Sequence, residues 1–340
     1  MRTLRINRRS HSCEVRVGCD VSDLVNMIKG RRMIIVTDRN VQELYGNRFT
    51  SANVIEIGIG EKAKIPGTVM KVIEGLMNLE VDRSNIIIGL GGGVVCDVTG
   101  YVCATYLNGM NYVLVPTTLD AMVDVQVGGR CGINFGGVKD LIGAFHQPDF
   151  IIIDLDFLDT LPREELPNGF ALMIKLAAIR DRELFLHLED HVSEIRSLKK
   201  EDIEYVIYSG LSLKGQLVEM DEKNPGERVA LDLGHTFGHA IESVYGLPHG
   251  KATGIGLILA ARLSRKRGWL GQEELNRLTA LVGSYDLPTT FKLDAVRMLD
   301  AIKRDKKRQG HQLSFVLLNH IGRTKIELVP LHDVETLLKS

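Results

Sequence analysis

Neither sign of charge is in excess in this chain: 42 lysines and arginines face 43 aspartates and glutamates, a formal net charge of −1. That balance leaves no electrostatic footprint for a nucleic-acid partner, although a local basic pocket for a small anion is still compatible with it. Cysteine is sparse. The five residues Cys13, Cys19, Cys96, Cys103 and Cys131 are odd in number and fit no zinc-knuckle spacing, so buried free thiols in a reducing cytoplasm are expected. No apolar run approaches the length of a membrane span. The N-terminus MRTLRINRRS is rich in arginine but lacks the apolar stretch of a secretory signal. Its alternation, continued in CEVRV, predicts a first β-hairpin instead. Repeats and low-complexity tracts are absent too.

What is present is a globular composition, 44% hydrophobic and 25% charged, over 340 residues, which is enough for two domains. The first half alternates β-branched runs with helix-like segments. RRMIIVTDRN predicts a strand followed by a helix from about Val41, SNIIIGLGGGVV a strand running into glycines, and NYVLVPTT and FIIIDLD two further strands. Such runs separated by helices indicate a parallel sheet covered on both faces, with ligands beyond the carboxyl ends of the strands. Asp38, Asn40, Gly91 to Asp97, Thr117 and Thr118 are thereby placed around one crevice. From about Leu161 long helical patterns take over, and a late strand pair near LSFVLL and KIELVP closes the chain. The expected fold is α/β: a Rossmann-like parallel-sheet nucleotide-binding domain, residues 1–160, then a mostly helical substrate and metal domain, residues 161–340. The active site is expected where the two halves meet.

Two stretches carry chemistry. IIIGLGGGVVCDVTGY puts three glycines between a strand and a helix, where the backbone can approach a pyrophosphate and the helix N-terminus offers amide donors. Val94 stands at the last glycine position of G-x-G-x-x-G, so the turn is not the Rossmann fingerprint, and a tight structural turn is the alternative. LDLGHTFGHAIESVYGLPHG, residues 231–250, sets His235 and His239 on one helical face and His249 after a short turn. Imidazoles so spaced are candidate ligands for a divalent metal.

These blocks, with VPTTLDAMVDVQVGGRCGIN, KDLIGAFHQP and DFLDTLPREELPNG, resemble 3-dehydroquinate synthase and its sugar phosphate cyclase relatives over most of the chain and in the same order. The resemblance implies two domains, bound NAD, a zinc-class metal and a homodimer. It also implies a reaction in which NAD transiently oxidises a substrate alcohol, phosphate is eliminated, the ketone is reduced again and a ring closes by aldol addition. It assigns NAD contacts to Asp38, Asn40, Glu61, Lys64, Gly92, Gly93, Val94, Asp97, Thr117, Thr118, Lys139, Thr160 and Asn168. Substrate and catalytic roles fall to Asp124, Arg130, Lys175, Lys214, Arg228 and His239, and metal ligation to His235 and His249.

The pattern breaks at several of these positions. The third metal ligand, a glutamate in the family's helix, is replaced by Leu172 in GFALMIK, so zinc or another divalent ion would be held weakly. Around the departing phosphate, Asn108 replaces an arginine, Arg130 a lysine, and Asp140 and Asp232 two asparagines, while Lys306 and Lys307 are kept. Asn224 replaces a glutamate near the carboxylate end, and Lys251 adds a cation after His249. Like charges 4 Å apart repel by about 4 kcal/mol at an effective dielectric near 20. A polyol or sugar-acid substrate without the phosphate is therefore expected in a cytoplasmic NAD-dependent cyclase of this type. The alternatives are ordinary 3-dehydroquinate synthesis, an NAD-dependent polyol or cyclitol oxidoreductase or epimerase, and a catalytically silent relative that still binds NAD.

Overall fold

The apolar runs of the first half become strands because β-branched side chains fill a sheet packed on both faces. In a computed structural model, which describes residues 1–7, 12–28, 30–124, 126–223, 226–305 and 307–339, the chain divides into two units, Met1–Pro162 and Arg163–Ser340. Asn224 and Lys306 lie outside the described residues.

The N-terminal unit contains strands β1 (Arg2–Asn7), β2 (Ser12–Val17), β3 (Met33–Asp38), β4 (Asn53–Ile57), β5 (Ile86–Gly91), β6 (Tyr112–Pro116), β7 (Arg130–Phe135), β8 (Val138–Phe145) and β9 (Phe150–Ile153). Seven form one sheet in the order β1-β2-β9-β6-β5-β3-β4, while β7 and β8 pair as a separate ribbon. The expected first hairpin is the antiparallel β1–β2 pair, and every other pairing in the large sheet is parallel. β5 and β6 are buried throughout. The helices are α1 (Asp23–Met27), α2 (Arg39–Tyr45), α3 (Pro66–Asn78), α4 (Gly93–Thr105) and α5 (Leu119–Asp124). From β3 the chain goes to β4 on one side and then to β5 on the other, so the order reverses between β3 and β5. Their carboxyl ends bound the crevice typical of such a switch point. Asp38 ends one strand, and Gly91 ends the other.

Two expectations need correction here. The helix after β3 starts at Arg39 rather than Val41, because the Asp38 carboxylate accepts the Val41 N–H (3.1 Å) and caps it. In the C-terminal unit the run from Asn168 to Asp190 is two helices, not one. Asp181 ends the first in extended conformation and accepts the Leu184 N–H (2.9 Å) to start the second.

That unit runs α6 (Leu166–Arg180), α7 (Arg182–Asp190), α8 (Val192–Arg196), α9 (Lys200–Lys223), α10 (His235–Tyr245), α11 (His249–Lys266), α12 (Gln272–Ser284), α13 (Ala295–Ile302), the sheet β10 (Arg308–Gln309), β11 (Gln312–His320) and β12 (Arg323–Pro330), and α14 (Leu331–Leu338). The late strand pair is β11–β12, antiparallel. No helix among the described residues is long and apolar enough to cross a membrane. The five cysteines are buried and free.

The placing of α10 depends on glycine. Gly234 caps it at φ 76°, and a Cβ on Gly256 of α11 would stand 2.5 Å from the Gly234 carbonyl oxygen. Gly256→Ala is expected to cost about 1–3 kcal/mol, the usual range for overpacking. Denaturant unfolding of the variant measures it.

Candidate active site

In the N-terminal unit, β5 feeds α4 through Gly91–Gly93. Gly92 occupies the N-cap with no side chain bonded to the first-turn amides, and a Cβ on Gly93 would meet nothing nearer than Asp120 Oδ2 at 4.0 Å. Open amides at the positive end of a thirteen-residue helix form a cradle for an anionic group such as a pyrophosphate. Thr118 borders it: its Oγ1 accepts the Ala121 N–H (3.2 Å), and its methyl would lie 3.2 Å from a Cβ on Gly92. Thr117 is buried and donates its N–H to the Gly91 carbonyl (3.0 Å). Asp38 and Asn40 stand at the end of β3 and the start of α2.

Behind the cradle a lysine is buried between two acids. Lys64 Nζ lies 2.6 Å from Asp97 Oδ2 and 2.5 Å from Asp140 Oδ1. Burial opposes its charge, but the two carboxylates outweigh burial and push its pKa above the ordinary range. Asp97 also accepts from Gln126 (3.0 Å), which in turn donates to the Cys96 carbonyl (2.8 Å). Asp140 sits at φ 50°, a conformation that aspartate and asparagine tolerate better than most residues. Its N–H is held by Asn134 Oδ1 (2.9 Å), and Asn134 Nδ2 donates to Glu61 Oε1 (2.7 Å). The expected contacts Glu61, Lys64 and Asp97 thus share one network with Asp140. Thr160 hydrogen-bonds Tyr45 and the Phe157 carbonyl instead. Lys139, Asp124 and Arg130 are exposed.

The C-terminal unit brings together Lys175, Asp232, His235 and Lys307. His235 Nδ1 is 3.2 Å from Asp232 Oδ1, Asp232 Oδ2 is 3.3 Å from Lys307 Nζ, and Lys175 Nζ is 3.2 Å from His235 Nε2. Asp305 fixes the loop carrying Lys307 by accepting the Lys307 N–H (2.9 Å) and the hydroxyl of Thr236 on α10 (3.2 Å). Desolvation and the neighbouring Lys175 ammonium pull the His235 pKa down to about 4, against the opposing pull of Asp232. A neutral ring with its proton on Nδ1 fits both contacts, leaving the Nε2 lone pair toward Lys175. Burial works against the Asp232 charge, yet the bond from His235 and the Lys307 ammonium hold its pKa below the ordinary carboxylate range.

Leu172 lies one turn before Lys175 on α6 and is 2% exposed. His239 is exposed, and its ring stacks on His235 with centroids 5.0 Å apart. His249 Nδ1 meets Glu242 Oε1 at 2.5 Å, a partner the sequence reading missed although Glu242 follows His239 by one turn. Asn168 ties the start of α6 to that of α11, accepting the Gly250 N–H (2.9 Å) and donating to Glu165 (2.8 Å). Arg228 is half-buried. Among the described residues the buried cationic side chains are Lys64, Lys175 and Lys214, and all three are candidate site residues. Burial pushes the thiol pKa of Cys19 up to about 11 and that of Cys131 up to about 12, which removes both as nucleophiles at neutral pH. A groove in this unit, lined by Arg262, Lys266, Gln272, Thr279 and Leu337 among others, contains none of these residues.

The fold as a whole is that of the sugar phosphate cyclases. A 2-deoxy-scyllo-inosose synthase complexed with carbaglucose-6-phosphate, NAD+ and Co2+ superposes with a TM-score of 0.88, covering 99% of each chain at 21% identity. A 2-epi-5-epi-valiolone synthase from Streptomyces hygroscopicus subsp. jinggangensis 5008, with NAD+ and Zn2+ bound, superposes with a TM-score of 0.87, at 26% identity over 100% of this chain and 98% of that one. The family models for the N- and C-terminal parts of 3-dehydroquinate synthase match residues 54–168 and 169–308. The 3-dehydroquinate synthase of Halorhodospira halophila is 37% identical over the full length of both proteins, and that of Prochlorococcus marinus strain AS9601 is 37% identical over 89% of this chain and 87% of its own. The chain belongs to the 3-dehydroquinate synthase family of enzymes.

The depressed His235 sets a stability window. The unfolded chain binds a proton at this histidine near pH 6.5 and the folded chain only near 4, so stability falls as pH drops between those values. At about 1.4 kcal/mol per pH unit, the loss is at most about 3.5 kcal/mol. His235→Gln is expected to flatten the fall in melting temperature between pH 7 and pH 4 by one proton. An unchanged slope would contradict the assignment.

Proposed function

We propose that the chain is an NAD-dependent cyclase of the dehydroquinate-synthase type whose substrate departs from the family's at the phosphate end. The observation that carries this reading is the pairing of Asp232 with Lys307 and His235. An aspartate at a family asparagine position engages a cation that the resemblance would direct at phosphate. Asp140, the other aspartate at a family asparagine position, pairs with Lys64, which the resemblance assigns to NAD. Both acids therefore have cationic partners, and a bare like-charge repulsion is not the reason to expect a changed substrate. The reason is that cations bound to carboxylates attract a dianion less.

NAD is supported by the open cradle at Gly92–Val94 and by the two solved relatives that hold it. When bound, it supplies the hydride acceptor and donor for a substrate alcohol. This chain's residues would then bind the pyrophosphate through the first-turn amides of α4 and hold the remaining polar edges through Asp38, Asn40, Glu61, Thr117, Thr118 and Lys139.

The solved relatives also hold Co2+ or Zn2+, but the residues here do not fit such an ion at the inherited position. Leu172 offers no donor, and Lys175 stands at the His235 lone pair. Among the described residues His235 and His249 belong to no group of three histidine, cysteine or carboxylate ligand atoms within 4.8 Å of one another, and the carboxylates they meet, Asp232 and Glu242, each engage one of them singly at Nδ1. Lys175 is the cation this chain sets at that lone pair. We assign it to hold the substrate oxygen that gains charge, with His235 as its acceptor. By the resemblance we assign Lys214 and Arg228 to a carboxylate, Asp124 to hydroxyls, and His239 and Arg130 to the leaving group.

Ordinary 3-dehydroquinate synthesis is the second reading, favoured by the 37% identity across the full length of a curated relative. Phosphate release from the seven-carbon phosphorylated precursor of dehydroquinate separates the two. Slow release by the wild type, raised at least tenfold in kcat/KM by Asp232→Asn, supports the altered substrate. Robust wild-type release that Asp232→Asn lowers establishes the ordinary reaction.

A further inference from the structure

A second cluster of ligand-type side chains lies elsewhere in the C-terminal unit. His187 and His191 are four residues apart at the end of α7, and Asp202 is in the first turn of α9; one ligand atom from each lies within 4.8 Å of the others. Asp202 is 8% exposed, which makes it and Asp154 the buried aspartates among the described residues. Asp154 is accounted for by two backbone donors, Val21 (3.0 Å) and Asp156 (3.0 Å). Asp202 is not: its Oδ2 is buried without a hydrogen bond, and its nearest cation is Lys199 Nζ at 3.3 Å on a largely exposed side chain. His187 Nε2 is also buried without a hydrogen bond and faces Asp202 Oδ1 at 3.6 Å. A buried imidazole nitrogen and a buried carboxylate oxygen on adjoining side chains, each without a hydrogen bond, need an explanation.

A cation between them supplies one. Ligand atoms bound to zinc at about 2.0–2.2 Å are separated from one another by roughly 3.3–3.6 Å, close to the spacing of His187 and Asp202. His191 carries a tautomer that can ligate. Its Nδ1 lies 3.2 Å from the His187 carbonyl, which places the proton there and the lone pair on Nε2. The His187 ring stacks on His191 at 4.1 Å and meets the edge of Tyr205 at 4.4 Å, so both imidazoles are held in place. Burial and the neighbouring His191 ring push the His187 pKa down, which favours the neutral ring that ligates.

We propose that His187, His191 and Asp202 bind one divalent transition-metal ion of the zinc class, at residues distinct from the inherited His235–His249 pair. Two imidazoles and a carboxylate select borderline ions such as Zn2+ or Co2+ over Mg2+ or Ca2+ and leave a position for water. Bound there, the ion joins the end of α7 to the start of α9. The test is titration of the chelator-stripped full chain with Co2+, read by equilibrium dialysis and visible absorption. The proposal expects one equivalent bound in the wild type and in His249→Gln. It expects at least tenfold weaker binding in Asp202→Asn and in His191→Gln, and a zinc-induced rise in melting temperature that Asp202→Asn abolishes. No binding by the wild type, or binding that both Asp202→Asn and His191→Gln leave intact, overturns it.

Discussion

A buried ammonium cannot stand alone, and the candidate residues of each unit are arranged around that constraint. Desolvating a lysine costs several kcal/mol unless a carboxylate or a lone pair receives it. Lys64 is received by Asp97 and Asp140, and Lys175 by the neutral ring of His235, which Asp232 holds in the matching tautomer. Each receiver is fixed by local structure in turn: Asp140 by its left-handed backbone and Asn134, and Asp232 by Lys307 on a loop that Asp305 ties to α10. Removing one member would leave an uncompensated charge.

This arrangement changes how the family departures read. Taken as isolated substitutions, Asp140 and Asp232 are negative charges added to a pocket for phosphate. In the folded chain they are half of two ion pairs, and the charge they remove is that of the lysines beside them. Leu172 fits the same shift. It withdraws a carboxylate donor one turn from Lys175, and the histidine that would have shared that donor's metal meets an ammonium instead. In each unit, then, a departure from the family pattern sets a charged or polar side chain against a buried lysine or beside one.

Much of the fold was legible because its signals are local. Uninterrupted β-branched runs marked β3, β5, β6 and β9, and the glycines after β5 marked the switch-point turn. The half-exposed edge strand β4 and the ribbon β7–β8, whose second strand faces solvent along most of its length, carry no such run and were not read. The long helical stretch after Asn168 kept its apolar period across Asp181, so only the cap revealed the break. For the candidate residues, the pairings in the fold were not legible. Lys64 and Asp140 are 76 positions apart and Asp232 and Lys307 are 75 apart, separations at which no periodicity speaks. His187 and His191 share a helical face in the sequence, but Asp202 joins them only through the turn that leads to α9.

The central claim is that His235 is a neutral acceptor for Lys175. Nitrogen-15 NMR of the imidazole, followed from pH 8 to pH 4 with and without zinc, addresses it directly. The account predicts a proton on Nδ1, a free lone pair on Nε2, titration near pH 4, and signals that one equivalent of zinc leaves in place. Titration above pH 6, or a zinc-induced shift of Nε2, would contradict it.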